Sequence, residues 1–106
     1  MDKDILINIA KKSIERKFNN KINIDKKELL KNNNFLNEKR ATFVTLTLNK
    51  ELRGCIESIE ANRTLFDDLV NNAYMEGFED PRFLELSFEE CNKIEIEISI
   101  LTPPII

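Results

Sequence analysis

Two short segments of this 106-residue chain carry residue types that can do chemistry. In the first, Gly54 is flanked by Arg53 and Cys55 inside a strand-like segment. A glycine there is unfavourable by roughly 0.5–1 kcal/mol, and it often marks a bulge or a close approach by a ligand or another backbone. The functional interpretation is a small site with a guanidinium beside a thiol. The structural interpretation is a Cys55 packed as a small apolar residue and an Arg53 paired with Glu57.

A regular strand would fix which of these side chains share a face. Alternation places Arg53, Cys55 and Glu57 on one side of the sheet and the residues between them on the other. The guanidinium and the thiol are therefore expected on the same face.

The second segment is the run from Phe78 to Phe83, which contains Asp80, Pro81 and Arg82. Its functional interpretation is a fixed loop that presents Asp80 and Arg82, because arginine suits carboxylate or phosphate ligands. Its structural interpretation is a rigid turn in which the phenylalanines fill the core and Arg82 bonds Asp80 or nearby carbonyls.

The residue types that the sequence lacks exclude several kinds of catalytic and metal site. The chain has no histidine, which excludes Ser-His-Asp and Cys-His catalysis within it. Its two cysteines, Cys55 and Cys91, are too few for a disulfide scaffold and lack metal-ligand spacing. We therefore expect no metal or other cofactor, and a cytoplasmic protein with reduced thiols.

The charge balance also bears on partners. Sixteen basic against nineteen acidic residues give a net charge of -3, the wrong sign for coating nucleic acid or an anionic membrane. No stretch approaches the roughly 20 apolar residues of a membrane span. Nucleic acid and membrane are therefore unlikely partners.

The helices that position these residues are predicted from the spacing of apolar residues and from residue types typical of helix ends. Apolar residues spaced three to five apart predict a helix from near Asp2 to Phe18. Asp25 is predicted to cap a short second helix, and Thr64 a third, with Gly77 just past the third helix's end at positive φ. Ser87 and Glu90, like Asp25 and Glu28, have the spacing of a capping box, and Ser87 is predicted to begin one short turn.

Three strands are predicted. Residues 42–48 and 52–59 are separated by three residues, which permits a hairpin but not a parallel crossover. Residues 93–101 alternate isoleucine with polar residues, as a strand buried on one side does, and Thr102-Pro103-Pro104 ends it. The fold class is α+β, with a small antiparallel or mixed sheet and helices packed on one face.

The same segments resemble the AMMECR family. The stretch Leu52–Ile56 matches five of the six positions of the family's Leu-Arg-Gly-Cys-Ile-Gly hexapeptide, with Glu57 at the sixth. The Phe78–Phe83 block and the strand ending Leu101-Thr102-Pro103-Pro104 match as well, in the same order. The likeness covers nearly the whole chain.

This resemblance implies an α+β domain but no established activity. It implies that residues 1–106 are the first half of a family domain about twice as long. It also implies a shared pathway with Memo-like and radical-SAM proteins, and a functional site at the hexapeptide. Glu57 adds a carboxylate where the family has glycine, which alters the site if a backbone must approach closely there.

Two functions compete. A regulatory or binding module would recognise a protein partner or a small anionic ligand through Arg53, Gly54, Asp80 and Arg82. An enzyme or modification acceptor would use Cys55 as a thiolate, with Arg53 lowering its pKa and Arg82 holding an anionic group. The chain lacks an obvious base for the second, which favours the first.

A three-stranded sheet with one half-buried strand leaves an edge and a face uncovered. We therefore also predict self-association, or a complementing second half.

Overall fold

The sequence folds into a three-stranded antiparallel sheet of order β2-β1-β3 with helices on one face, an α+β arrangement. The computed structural model describes residues 3–19, 21–58 and 60–101. Three predicted features lie outside these ranges. They are the start of the first helix at Asp2, the last residue of the second strand at Ile59, and the end of the third strand at residues 102–104. The elements are α1 (Lys3–Glu15), α2 (Lys26–Asn32), a 3-10 helix (Asn34–Asn37), β1 (Ala41–Leu48), β2 (Glu51–Glu57), α3 (Leu65–Phe78), α4 (Phe88–Cys91) and β3 (Glu95–Leu101).

The predicted caps fix the helix starts. The Asp25 side chain accepts from a backbone N–H in the first turn of α2. The hydroxyl of Thr64 accepts the Asp67 N–H at 3.2 Å, which begins α3. Ser87 and Glu90 form a complete capping box at α4. Each contact satisfies a helix-terminal N–H that has no intrahelical acceptor.

A two-residue turn joins β1 to β2. Asn49 and Lys50 have φ angles of 52° and 67°, the left-handed pair that a tight hairpin with right-handed strand twist requires. Glu51 already belongs to β2, so the connection is shorter than the predicted three residues. The hairpin itself is confirmed.

A bulge interrupts the pairing of β1 with β2. Leu46 lies opposite Gly54, whereas Thr47 lies opposite Leu52, so Arg53 has no partner across the ladder. The regular alternation expected for this segment therefore does not hold through Arg53. Such an extra residue bends the strand and redirects its side chain.

The core lies between the sheet and the helices. Thr42, Val44 and Leu46 point from the central strand toward α1 and α3 and are fully buried. They pack with a continuous apolar cluster. Its helical members include Leu6, Ile9, Ala10, Ile14, Leu65, Phe66, Leu69 and Ala73.

The prediction that the third helix ends just before Gly77 is wrong. Gly77 lies inside α3, which continues to Phe78, and no described glycine has positive φ. A Cβ at Gly77 would lie 3.0 Å from a methyl of Leu86, whose N–H donates to the Gly77 carbonyl at 2.9 Å. The residue is small because the 80–87 segment packs tightly against the helix, and not because the helix ends there.

Among the described residues, no helix covers the opposite face of the sheet. Phe43 and Thr45 of the central strand are half-buried there, and Glu97 and Ser99 of β3 beside them are exposed. In the part of the chain that the structure describes, none of the helices has the length and apolar character to cross a membrane.

Candidate functional site

Arg82 joins the two segments that the sequence singled out. Its Nη2 donates to the Cys55 carbonyl at 2.9 Å and lies 3.7 Å from the Cys55 Sγ. The loop after α3 is thereby fixed against strand β2. Because Arg82 is exposed and Cys55 half-buried, the junction lies at the surface.

Asp80 holds Arg82 in this position. The Asp80 carboxylate accepts Nε at 3.1 Å and Nη2 at 2.7 Å, a bidentate pair, and also accepts the Arg82 backbone N–H at 2.9 Å. The Arg82 hydrogen bonds hold the pKa of Asp80 well below its usual range, and Asp80 raises the pKa of Arg82. Pro81 between them fixes one backbone angle of the turn.

Glu76 fills the space that Gly54 leaves empty. A Cβ at Gly54 would lie 2.8 and 2.9 Å from Cγ and Cδ of Glu76, and closer still to its Oε1. The Glu76 side chain is only 1% exposed. Gly54 therefore lets a buried carboxyl of α3 approach the backbone of β2, the close approach that a strand glycine often marks.

The Glu76 carboxyl is kept protonated near neutral pH. Burial, followed by the Asp80 hydrogen bond and charge, raises the pKa of Glu76 from 4.5 to about 8, although Arg82 and the Cys55 backbone act in the opposite direction. Its Oε1 lacks a hydrogen-bond partner among the described residues, and Arg82 Nη2 lies 3.9 Å away. A protonated Glu76 donates to Asp80, which avoids two adjacent carboxylates.

Arg53 lies apart from this group. Its Nε and Nη2 donate to the two Glu90 carboxylate oxygens at 3.0 and 3.2 Å, and Nη2 also donates to the Leu84 carbonyl at 2.7 Å. Only 13% of the side chain is exposed. Arg53 therefore pairs with Glu90 of α4, where the sequence offered Glu57 as the partner, and it clamps α4 to β2.

The two guanidiniums approach the same aromatic ring. The guanidinium carbons (Cζ) of Arg53 and Arg82 lie 5.7 and 5.5 Å from the centroid of the Phe83 ring. The structure thus brings Cys55, Asp80 and Arg82 together directly and links Arg53 to them only through Phe83. Gly54 contributes by its missing side chain.

The two thiols differ in environment. Cys55 is half-buried beside Arg82, whereas Cys91 is 4% exposed in the core. Burial, and secondarily Glu15 and Glu90, raises the pKa of Cys91 to about 11. Cys91 is a protected thiol, and Cys55 is the one that a reagent can reach.

A second buried acidic side chain, Asp68, lies near the start of α3. Asp68 is 1% exposed and accepts from Thr42, Ser58, Asn72 and Arg63 at 2.8–3.2 Å. Every oxygen is used, so this network fastens α3 to the sheet rather than offering a reactive group.

A groove runs between β2 and α3 and connects these regions. One part, of about 250 Å³, is lined by Cys55, Glu76, Asp80 and Arg82. The other, of about 600 Å³, extends along Glu57 and beyond it toward the Asp68 network. Ile56 and Met75 line both parts, so the two parts adjoin along β2.

Three residues of this region were missed from the sequence: Asp68, Glu76 and Glu90. Asp68, Asn72 and Glu76 are spaced four apart, which places them in one row along α3 beside buried Leu65, Leu69 and Ala73. Polar residues in that row were the available signal. In the described residues, no cluster of three or more cysteine and acidic side chains is arranged to hold a metal ion.

Comparison of the sequence with known proteins identifies the family of this chain. The AMMECR1 family model matches residues 7–105. A protein from Methanothermobacter thermautotrophicus is 35% identical over 99 residues, which cover 93% of this chain and 50% of that one. A protein from Saccharolobus islandicus is 40% identical over 104 residues, covering 93% and 44%.

A solved structure shows the same fold. The crystal structure of the uncharacterized protein PH0010 from Pyrococcus horikoshii superposes with a TM-score of 0.81 at 30% identity. The alignment covers 94% of this chain and 51% of that one. The chain spans about half the length of the curated relatives it matches. On the match to residues 7–105 and these relatives, the chain belongs to the AMMECR1 family.

Proposed function

We propose that this chain is a binding module that recognises a protein partner through the surface where β2 meets the 80–87 segment. The observation that carries the proposal is the Arg82–Cys55 junction, which unites two separate segments at the surface with an arginine held in place but exposed. A guanidinium oriented in advance loses little freedom on binding.

Exposed apolar side chains near Arg53, the other residue by which β2 contacts the 80–87 segment, favour a protein over a small anion. The side chains of Leu84 and Leu52 are 87% and 53% exposed. Both lie next to Arg53, which donates to the Leu84 carbonyl and follows Leu52 in β2. Phe88, two residues before the Arg53 partner Glu90, is 62% exposed. Apolar groups gathered beside polar anchors are typical of protein interfaces.

The charges around the Arg82–Cys55 junction also favour a protein partner. Asp80 already neutralises Arg82, and Glu79 adds a negative charge to the groove. A small anion would meet this negative charge without a free cation, whereas a protein surface can supply hydrogen bonds and apolar contact together. The partners to test are a Memo-like protein, a radical-SAM protein, a separately expressed second half of a relative, and a second copy of this chain.

The test is titration calorimetry of these four purified partners with the chain. Leu84→Ala is expected to weaken binding about tenfold or more, as loss of a central apolar contact does. Ile7→Ala, which truncates a partly exposed residue of α1, is the matched control and should bind normally. Equal affinity of the two variants for every partner that binds, or binding of none of the four, would refute the proposal.

A thiol reaction at Cys55 is the second candidate function. The observation that favours it is the buried Glu76 carboxyl, which lines the same cleft as Cys55 and whose pKa burial raises to about 8. It supplies the proton-transfer group that a chain without histidine otherwise lacks.

Alkylation with iodoacetamide separates the two functions. In the binding module, Cys55 reacts no faster than free cysteine at pH 7 and Cys55→Ser keeps full affinity for the partner. Thiol chemistry instead requires a Cys55 that reacts faster than free cysteine and slows when Glu76→Gln is introduced. Cys91 serves as the internal control, because its burial protects it in the native chain.

A further inference from the structure

The outer edge of β2 has two backbone positions that point away from the sheet. Ser58 donates its N–H inward, to the Thr42 carbonyl at 3.1 Å. Because successive residues of a strand alternate in direction, Glu57 and Cys55 direct their N–H and C=O groups outward. The Arg82 contact to the Cys55 carbonyl agrees with this direction, since Arg82 approaches from outside the sheet.

This edge is protected at one end only. Arg82 caps the Cys55 carbonyl, and the buried Glu76 carboxyl lies beside the Cys55 backbone. No hydrogen bond within the described residues covers the outward groups of Glu57, the next such position. An unpaired edge position is a ready template for another strand.

The groove continues along this edge with α3 as its far wall. Met75 and Asn72 of α3 face Ile56 and Glu57 across it. A groove between an edge strand and a helix is a shape that accepts an extended peptide, with the strand supplying main-chain hydrogen bonds and the helix side supplying contacts for side chains.

The charge of the groove selects the kind of segment. Three exposed glutamates, Glu57, Glu60 and Glu79, line it. Its two arginines, Arg63 and Arg82, are each held by an aspartate at 2.7–2.8 Å. The remaining charge is negative, so a basic segment is favoured and an acidic one repelled.

We propose that the edge of β2 at Cys55–Glu57 docks an extended, basic segment of a partner protein, which adds to the sheet as a fourth strand between β2 and α3. This rests on the proposed function as a protein-binding module and adds a neighbouring docking site along β2 and the kind of segment that the site takes. A second copy of the chain, whose own β2 edge is flanked by the same glutamates, fits this groove less well.

Selection from a displayed library of random decapeptides tests the proposal. Enriched peptides are expected to be rich in lysine or arginine and in strand-forming residues. They should lose about tenfold in affinity for Glu57→Pro, which removes the outward N–H donor. Glu57→Gln is the matched control, because it keeps that N–H and removes only the charge, and it should lose about threefold or less.

Three outcomes overturn the docking site: no enrichment above a Glu57→Pro control surface, enrichment of acidic peptides, or equal affinity for Glu57→Pro. If Glu57→Pro fails to fold, N-methylation of alternate peptide nitrogens makes the reciprocal change, and unchanged binding of the methylated peptide also overturns it. Ile7→Ala should bind the peptides normally, since residue 7 lies on α1 outside the groove, and the partner titrations vary Leu84, which does not line the groove either. The docking site can therefore fail while the partner titrations still succeed.

Discussion

Gly54 and Glu76 compete for one volume, and this competition explains a glycine in the middle of a strand. The Glu76 side chain occupies the place of a Cβ at residue 54. Backbone flexibility is not the reason, because Gly54 is paired in the ladder and has no positive φ. The strand gives up a side chain so that a carboxyl can be buried against its backbone.

Gly54→Ala is therefore expected to destabilise the chain by about 1–3 kcal/mol, the range for overpacking a filled interior. Glu76→Ala removes the obstructing atoms, so the double variant should be more stable than the sum of the single changes predicts, by about 1 kcal/mol or more. Urea unfolding of the four chains measures this cycle. Additive effects would show that Glu76 is not what excludes a side chain at residue 54.

The protonated state of Glu76 makes stability depend on pH. The pKa is raised to about 8 in the folded chain from 4.5, so the folded state binds the proton more tightly than the unfolded state between these values. Stability contributed by this group is therefore complete below pH 4.5 and falls as pH rises toward 8, by at most about 1.4 kcal/mol per pH unit.

Glu76→Gln should remove this slope, because glutamine is neutral and its amide can still donate to Asp80. The two chains are expected to be similarly stable near pH 4.5, with the variant increasingly the more stable up to pH 8. Urea midpoints at four pH values check this. Parallel curves for the two chains would show that Glu76 is ionised in the folded state throughout.

At the scale of elements, Glu90 performs two tasks in a helix of four residues. Its carboxylate accepts the Ser87 N–H in the capping box and receives both Arg53 contacts. The Arg53 and Ser87 hydrogen bonds lower the pKa of Glu90. So short a helix cannot form on its own, and it depends on such tertiary contacts.

Glu90→Ala is expected to lower stability by about 1.5–3 kcal/mol, the range for hydrogen bonds to a charged group, and to leave Arg53 without its carboxylate. Glu89→Ala is the matched control: the same residue type in the same helix, exposed and outside the clamp. Thermal unfolding compares them. Similar losses in both would mean that the clamp contributes nothing beyond the helix itself.

Local signals were sufficient to predict most of these elements. The caps at Thr64 and Ser87, the hairpin and the alternating β3 are each specified by a few neighbouring residues. The antiparallel pairing of β1 with β2 follows from their short connection, whereas the sequence left the sheet antiparallel or mixed and the structure shows β3 antiparallel to β1. The helix end at Gly77 was wrong, because the packing of Leu86, nine residues further on, decides what residue 77 must be.

The candidate site was less predictable, because its contacts span long separations. Glu76 meets Gly54 across 22 residues and Glu90 meets Arg53 across 37. Neither glutamate differs, as a residue type, from the solvated ones around it. The bulge also moved Arg53 out of the alternation that placed it beside Cys55, and Arg82 occupies that position in its stead.

At the scale of the whole molecule, one face of the sheet is not covered by any helix that the structure describes. The central strand presents Phe43 there, half-buried, between Glu57 on one side and Ser99 on the other. Glu95 and Glu97 add negative charge along the β3 edge. An apolar centre with an acidic border favours association but opposes bringing two identical faces together.

The predicted self-association through this face should therefore be weak at low salt and stronger at high salt, which screens the glutamates on the facing copies. Light scattering from 10 to 500 µM at about 20 mM and 500 mM salt measures it. Phe43→Ser should abolish the salt-promoted association, whereas Phe88→Ser, which changes an exposed phenylalanine of α4, should leave it intact. A monomer under every condition would mean that the open face awaits a different occupant, such as the second half found in longer relatives. Association that weakens with salt would place the contact elsewhere, because screening can only help two acidic faces to meet.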